Sequence, residues 1–332
     1  MAGRNIAVLG AGSWGSALAM QAARARQNVY LWGLEAEQIA TMQQERCNRF
    51  YLPDISFPEN LQLSSDLDAC LQQAQTLLIA VPSHAFRSFL QSAKSRIRAE
   101  QHIVWATKGL EDGSAKLMHQ ILAEELPESS HTAVISGPTF AREVALNLPT
   151  AVTAAAKTTA LAWDATSFLH HGNFRVYSSD DVVGVELGGA LKNVLAIAAG
   201  IADGLGFGAN TRAALITRGL AEIMRLGDAM GAQRETFMGL AGLGDLVLTC
   251  TDNQSRNRRM GLKLASGMDV IAAKAEIGQA VEGINTAREA FALGQKYVVE
   301  LPIIELTYRV LFEKLAPRAA VHQLLSRGAK SE

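Results

Sequence analysis

The chain is poor in several things at once. Its 332 residues include three cysteines and 6% aromatics, and 31 lysines and arginines against 32 acids leave a formal net charge of −1. Cys47, Cys70 and Cys250 are odd in number, far apart and without a CxxC pair. That pattern excludes a disulfide framework and a structural zinc site, and it fits inert thiols in a reducing, cytoplasmic compartment. The missing basic excess argues against a protein that grips nucleic-acid phosphates non-specifically. A 48% hydrophobic content with balanced charge argues against disorder. The longest uncharged apolar stretch of interest, residues 194–202, falls between Lys192 and Asp203. It is well short of the ~20 apolar residues that a bilayer requires, so no membrane span is expected. No signal-peptide pattern opens the chain, because Gly10 and Gly12 interrupt the run that starts at Ile6. His170 and His171 form the only histidine pair and lack an i, i+4 partner, so no metal is expected.

What is present divides near Ser179-Asp180-Asp181. Before that point, short apolar runs at residues 5–9, 28–32, 76–81, 102–106, 132–135 and 150–156 alternate with helical patterns such as 16–26. Continuous rather than alternating hydrophobicity predicts strands buried on both faces. Their alternation with helices predicts a mainly parallel, doubly wound α/β sheet domain over residues 1–180. Beyond it, residues 181–332 read as an all-α domain. A long buried helix over 182–202 would be capped by Ser179 or Asp180. An amphipathic helix over 214–230 would bury Ile216, Leu220 and Ile223 and turn Arg218, Glu222 and Arg225 to the other side. Residues 287–291 and 303–312 also read as helical, and the polar stretch 326–332 as a frayed end.

The first strand runs into Gly10-Ala11-Gly12-Ser13-Trp14-Gly15 and then a helix. This is GxGxxG in its proper setting. Gly10 would allow the tight turn, Gly12 the approach of a pyrophosphate, and Gly15 the close packing of helix on strand. The ligand would be a dinucleotide. An acid at the end of the second strand would mark NAD, but that strand ends Trp32-Gly33, with Glu35 two residues on. An open Gly33 would admit the extra phosphate of NADP, yet no arginine sits beside it, so the cofactor is NAD or NADP.

Ligands of such sheets bind beyond the carboxyl ends of the strands. Polar turns there include Val81-Pro82-Ser83, Thr107-Lys108-Gly109 and Ser136-Gly137-Pro138-Thr139. Lys108 is a candidate binder of an anion or carbonyl, the alternative being a solvated lysine. In the helical half, Lys192 and Asn193 interrupt a small, apolar helix face. A buried lysine loses water, which lowers its pKa toward a general-base range; the alternative is a lysine snorkelling from a helix edge. Glycines 239, 242 and 244 lead to Asp245, and Thr249 would follow one turn along on the same helix face. From Ser255 to Lys263 there are four basic residues and no acid. They are either a solvated face or a phosphate site, to which arginine is suited.

These stretches resemble bacterial NAD(P)-dependent glycerol-3-phosphate dehydrogenases over essentially the whole chain. The resemblance is carried by GAGSWG at Gly10, ATKGL at Ala106, SGPTFA at Ser136 and GALKNVLAIAAGIADGLGFGAN at Gly189. GLGDLVLTC at Gly242, the following SRNRRMG, and Val281-Glu282-Gly283 add to it. It implies a Rossmann-like first domain. It implies that Lys192 is the catalytic base, with Lys108, Asp245 and Thr249 around the reacting hydroxyl. Gly137, Thr139, Asn193, Ser255, Arg256 and Asn257 would meet the substrate. Ser13, Trp14, Lys108, Ala141, Arg256, Ala280 and Glu282 would join the glycines at the cofactor. The substrate would be a small phosphate, dihydroxyacetone phosphate or glycerol 3-phosphate, handled for phospholipid synthesis by a homodimer. Two rival readings are a dehydrogenase of another hydroxy acid and a nicotinamide sensor without turnover. Whether burial or the charge of Asp245 dominates the protonation of Lys192 is left open at this level.

Overall fold

The computed structural model describes residues 3–326; the expected frayed end lies, apart from Ser326, outside the described residues. The strands are β1 Asn5–Leu9, β2 Asn28–Trp32, β3 Cys47–Asn48, β4 Leu52–Ser56, β5 Leu61–Ser64, β6 Thr76–Ile79, β7 His102–Trp105, β8 Thr132–Ser136, β9 Thr150–Ala155 and β10 Phe174–Ser179. Eight form one sheet in the order β10-β9-β8-β7-β6-β1-β2-β5, while β3 and β4 pair as a small antiparallel ribbon. All neighbours in the large sheet are parallel except β8 and β9. In β1, Ile6 aligns with Val29 of β2 on one side and Thr76 of β6 on the other. The chain builds outward from β1 in one direction, then returns to β6 and builds in the other. Such a reversal of strand order opens a crevice at the carboxyl ends of the two central strands.

The central strands follow the expectation of two-sided burial: Ile6, Ala7, Val8, Leu9, Leu77, Leu78, Ile103 and Val104 are all fully buried. β5 and β10 were not expected, and both are sheet edges. Along β10, Phe174 and Val176 are buried while Arg175 and Tyr177 are exposed. An edge strand alternates because one face meets water, so it leaves no continuous apolar run to read.

Two compact units result. One runs to Thr107 and resumes over Met118–Val185; the other comprises Lys108–Leu117 and the chain from Glu186 onward. In the second, the helices are Val182–Gly204 (begun in the first unit), Gly208–Ala229, Arg234–Met238, Asp245–Thr251, Arg256–Ala265, Val270–Ile277, Glu282–Tyr297, Pro302–Phe312 and Pro317–Leu325. The long helix Val182–Gly204 is apolar and long enough, by length and composition, to cross a membrane, but 89% of its most apolar window is buried inside the protein. Its cap is Asp181 rather than Ser179 or Asp180. The helix starts at Val182, as expected, so the residue just before it takes the cap, and Asp181 Oδ1 accepts the Gly184 amide at 2.8 Å.

Glu222 also departs from expectation. Ile216, Leu220 and Ile223 are buried as predicted, but so is Glu222, at 2% exposure. Its two carboxylate oxygens accept the amides of Ile303 and Ile304 at 2.8 and 3.2 Å. These are orphan donors of the first turn of Pro302–Phe312, a helix whose own N-cap residue, Leu301, has no side chain to offer them. Removing the acceptor strands two buried donors, so Glu222→Ala is expected to lower unfolding free energy by about 1–3 kcal/mol. Urea denaturation measures this, and a midpoint equal to that of the parent would contradict the capping role.

Candidate active site

In the first unit, the glycine turn has the shape its sequence demands. Gly10 has φ +123°, and a Cβ there would stand 2.9 Å from the Ala80 carbonyl oxygen at the end of β6. A Cβ on Gly15 would collide with the Gly10 carbonyl. One on Gly12 would meet nothing within 4 Å, so the glycine leaves space against the backbone. Gly12 is the N-cap of helix Ser13–Arg24, and no side chain caps that end. The first-turn amides of Ser13, Trp14 and Gly15 are therefore open to a phosphate without competition from a cap. Trp14 adds a buried indole N–H that has no hydrogen-bond partner among the described residues. An open backbone cradle, an uncapped helix and an unmet donor fit a dinucleotide. Gly33 does not fit its expected part: it is buried, and its missing Cβ space is filled by Ile39 and Ala11. The glycine makes room for protein packing, not for an NADP phosphate. Glu35 is exposed and its side chain caps nothing.

The other strand ends of this unit carry the remaining expected turns. Thr107 Oγ1 donates to the Val81 carbonyl at 2.7 Å and ties the ends of β7 and β6 together. Beyond β8, Gly137 packs so closely on β9 that a Cβ would lie 2.9 Å from Val152 Cα. Thr139 Oγ1 donates to the Gly137 carbonyl at 3.1 Å, and Ala141 starts a single-turn helix, Ala141–Ala145.

In the second unit, Lys108, Lys192, Asp245 and Thr249 meet. A π-turn, Leu240–Gly244, leads into helix Asp245–Thr251. Gly188, one turn before Lys192 on the long helix, has no side chain, and the Ala241 carbonyl lies where a Cβ would be. That close approach brings Asp245, four residues after Ala241, opposite Lys192, four residues after Gly188. Asp245 is fully buried, with Lys192 at 6% and Thr249 at 4% exposure. Lys192 Nζ donates to Asp245 Oδ1 and, at 3.0 Å, to Thr249 Oγ1. Lys108 Nζ donates to Asp245 Oδ2 at 2.7 Å. Thr249 Oγ1 donates in turn to the Asp245 carbonyl at 2.6 Å, so its lone pairs face the lysine.

One carboxylate thus serves two ammonium groups, leaving an excess positive charge in a dry setting. Burial pushes the Lys192 amine down to about 8; the Asp245 carboxylate opposes the shift and the charge of Lys108 reinforces it. Desolvation therefore outweighs pairing. The snorkelling alternative fails because the amine itself is enclosed. Cys250, the next residue after Thr249, has its thiol pushed up to about 12 by burial, which leaves it inert.

The expected phosphate-binding stretch is partly structural. Ser255 Oγ is the N-cap of Arg256–Ala265, accepting the Arg258 amide at 3.1 Å. Arg258 and Lys263 pair with Asp203 and Glu276. Asp203, which sequence reasoning missed, also holds Arg212 at 2.8 Å; its only signal was a lone acid closing an apolar helix. Arg256 stands half-buried at the first position of its helix. Asn193 and Asn257 bind each other at 2.8 Å, and Asn257 Oδ1 accepts the Gly283 amide at 2.9 Å. This links the long helix, the Arg256 helix and the start of Glu282–Tyr297. Glu282 is the first residue of that helix, and Ala280 is exposed ahead of it.

Two family descriptions match the chain. The N-terminus of NAD-dependent glycerol-3-phosphate dehydrogenase matches residues 5–162, and the C-terminus matches 181–322. A Thioalkalivibrio sulfidiphilus protein named glycerol-3-phosphate dehydrogenase (NAD(P)+) is 56% identical over 327 residues, 98% of each chain. A Shewanella amazonensis protein of the same name is 52% identical over 99% of this chain and 97% of its own. The crystal structure of glycerol-3-phosphate dehydrogenase from Coxiella burnetii superposes with a TM-score of 0.94 at 51% identity, covering 98% of this chain and 99% of that one. An uncapped GxGxxG helix, a buried lysine on a shared carboxylate and full-length likeness lead to one conclusion: the chain belongs to the NAD-dependent glycerol-3-phosphate dehydrogenase family.

Proposed function

We propose that the protein is an oxidoreductase interconverting dihydroxyacetone phosphate and sn-glycerol 3-phosphate with NAD or NADP, feeding glycerophospholipid synthesis. Residues 1–180 would hold the dinucleotide and residues 181–332, with Lys108, would act on the substrate. One observation carries the reading: a buried amine near its neutral point, Lys192, held by Asp245 and Thr249 with a second lysine on the same carboxylate. The bound reduced cofactor supplies a hydride to the carbonyl carbon. In that direction, the Lys192 ammonium gives a proton to the developing alkoxide; in the reverse direction, the neutral amine takes it back. Lys108 stabilises the charge on the same oxygen. Asp245 orients both amines, and Thr249 fixes the direction of Lys192. Arg256 clamps the substrate phosphate, for which its planar fork is suited. Asn193 and Asn257 hold the surrounding helices and the Glu282 end in register. Gly137 and Thr139 would contact substrate, and Ala141, Ala280 and Glu282 the cofactor, as the family likeness implies. It likewise implies a cytoplasmic homodimer.

Adding dihydroxyacetone phosphate should consume reduced nicotinamide absorbance with NADH, NADPH or both, and no change with either would overturn the activity. Lys192→Ala should reduce kcat by at least about 10²–10⁴-fold while the circular dichroism stays that of the parent; unimpaired turnover would remove Lys192 from the mechanism. Proton donation needs the ammonium, so kcat/KM for ketone reduction should be level below pH 8 and fall as pH rises through about 8. Alcohol oxidation needs the neutral amine and should rise through the same value. Arg256→Ala should raise KM for dihydroxyacetone phosphate with a smaller effect on kcat, and an unchanged KM would place the phosphate elsewhere.

A further inference from the structure

The segment Lys108–Leu117 is the only part of the second unit drawn from the first half of the chain. It forms neither helix nor strand, and three of its residues have left-handed backbone: Gly109 at φ +139°, Gly113 at +80° and Ala115 at +55°. Two internal bonds close its turn, from the Glu111 amide to the Lys116 carbonyl at 2.9 Å and from the Ala115 amide to the Glu111 carbonyl at 3.0 Å. A pair of neighbours on helix Glu282–Tyr297 makes polar contact with the turn. Arg288 reaches Asp112 at 3.3 Å, with both side chains about half exposed, and such a pair contributes little. Glu289 differs. It is 3% exposed, it ion-pairs with no lysine or arginine among the described residues, and its Oε1 accepts the Gly113 amide at 3.0 Å. Burial raises its pKa, the Gly113 and Ala115 amides oppose that, and the neighbouring Asp112 adds to the rise. A lone buried acid is costly unless it answers a donor, and here the donor belongs to the turn that begins with Lys108.

We propose that Glu289 is a positioning residue for Lys108: by gripping the Gly113 amide, it fixes the segment from which Lys108 reaches Asp245. The segment's polar ties include Lys108 to Asp245 and the Gly113 and Ala115 amides to Glu289, and the side chains of Leu110 and Leu117 are buried on either side of the turn. The first runs through a flexible four-carbon stem and cannot fix the backbone by itself. Without the second, the turn between the buried Leu110 and Leu117 loses its acceptor on helix Glu282–Tyr297, and the backbone that carries Lys108 is held less firmly. The proposal rests on the reading of Lys108 as the group that stabilises the substrate oxygen.

The test is a double-mutant cycle on the full chain, reading kcat and KM with dihydroxyacetone phosphate. A misplacement of ~1 Å can cost ~10²-fold in rate, so E289A should lower kcat by roughly 10- to 100-fold with KM for the reduced cofactor within about twofold of the parent. E289Q, whose amide oxygen still accepts the Gly113 N–H, should recover most of that loss. In a K108A background, E289A should lower kcat no further. If E289A fails to fold, as its melting curve would tell, E289M preserves the side-chain length without an acceptor and should show the same loss. Parental kcat in E289A or E289M, or losses that multiply with K108A, would overturn the proposal while leaving Lys108 in place. Parental kcat in K108A would overturn the reading of Lys108 and this proposal together.

Discussion

The chemistry of the helical unit depends on a single buried carboxylate. Asp245 is fully enclosed and is met by an amine on each oxygen. An ion so enclosed would cost several kcal/mol if left alone, and two lysines would repel each other without it. The three groups tolerate burial only together. Their excess positive charge suits the role proposed for them, receiving an anionic substrate and steadying a developing alkoxide. The same burial brings Lys192 to about 8, where it can both give and take a proton. A solvated lysine would hold its proton too firmly to act as a base near neutrality.

The placement of that carboxylate follows from small residues. Gly188 allows the Ala241 backbone to lie on the long helix, and the matching four-residue offsets then set Lys192 against Asp245. In the first unit, Gly10 and Gly15 similarly make a tight strand-to-helix turn, while Gly12 leaves an open surface. Both halves of the chemistry are built by removing side chains so that backbones approach, after which a few polar groups are aimed.

The glycine turn was legible in the sequence because it depends on local rules, a strand and a glycine spacing; the meeting of Lys108 and Lys192 with Asp245 was implied only by the family resemblance, and the approach at Gly188 was not read. The two-sided burial of β1, β6 and β7 and the Asp245–Thr249 helix face were read from such patterns. What was not legible depended on partners distant in sequence. β5 and β10 alternate because nothing covers one face at the edge of the sheet. Glu222 looked like a surface acid until the amides of Ile303 and Ile304, 81 and 82 residues away, called for an acceptor. Gly33 looked like an opening until Ile39 filled it. Arg258 looked like part of a phosphate site until it met Asp203. Composition predicts that a charged group needs a partner, but only topology says whether that partner is protein or ligand.

The allegiance of Lys108–Leu117 bears on how such a gene can be divided. A fragment ending near residue 180 would encode Lys108 but neither Asp245 nor Glu289, and the complementary fragment would lack the lysine. No single crossover exchanges one functional half for another. A chimera that takes its cofactor half from a relative would have to import residues 108–117 with the helical half, as an insert within the donor's sheet. Recombination between diverged members of the family is thus constrained at two further breakpoints, on either side of residues 108–117, besides the one after Val185.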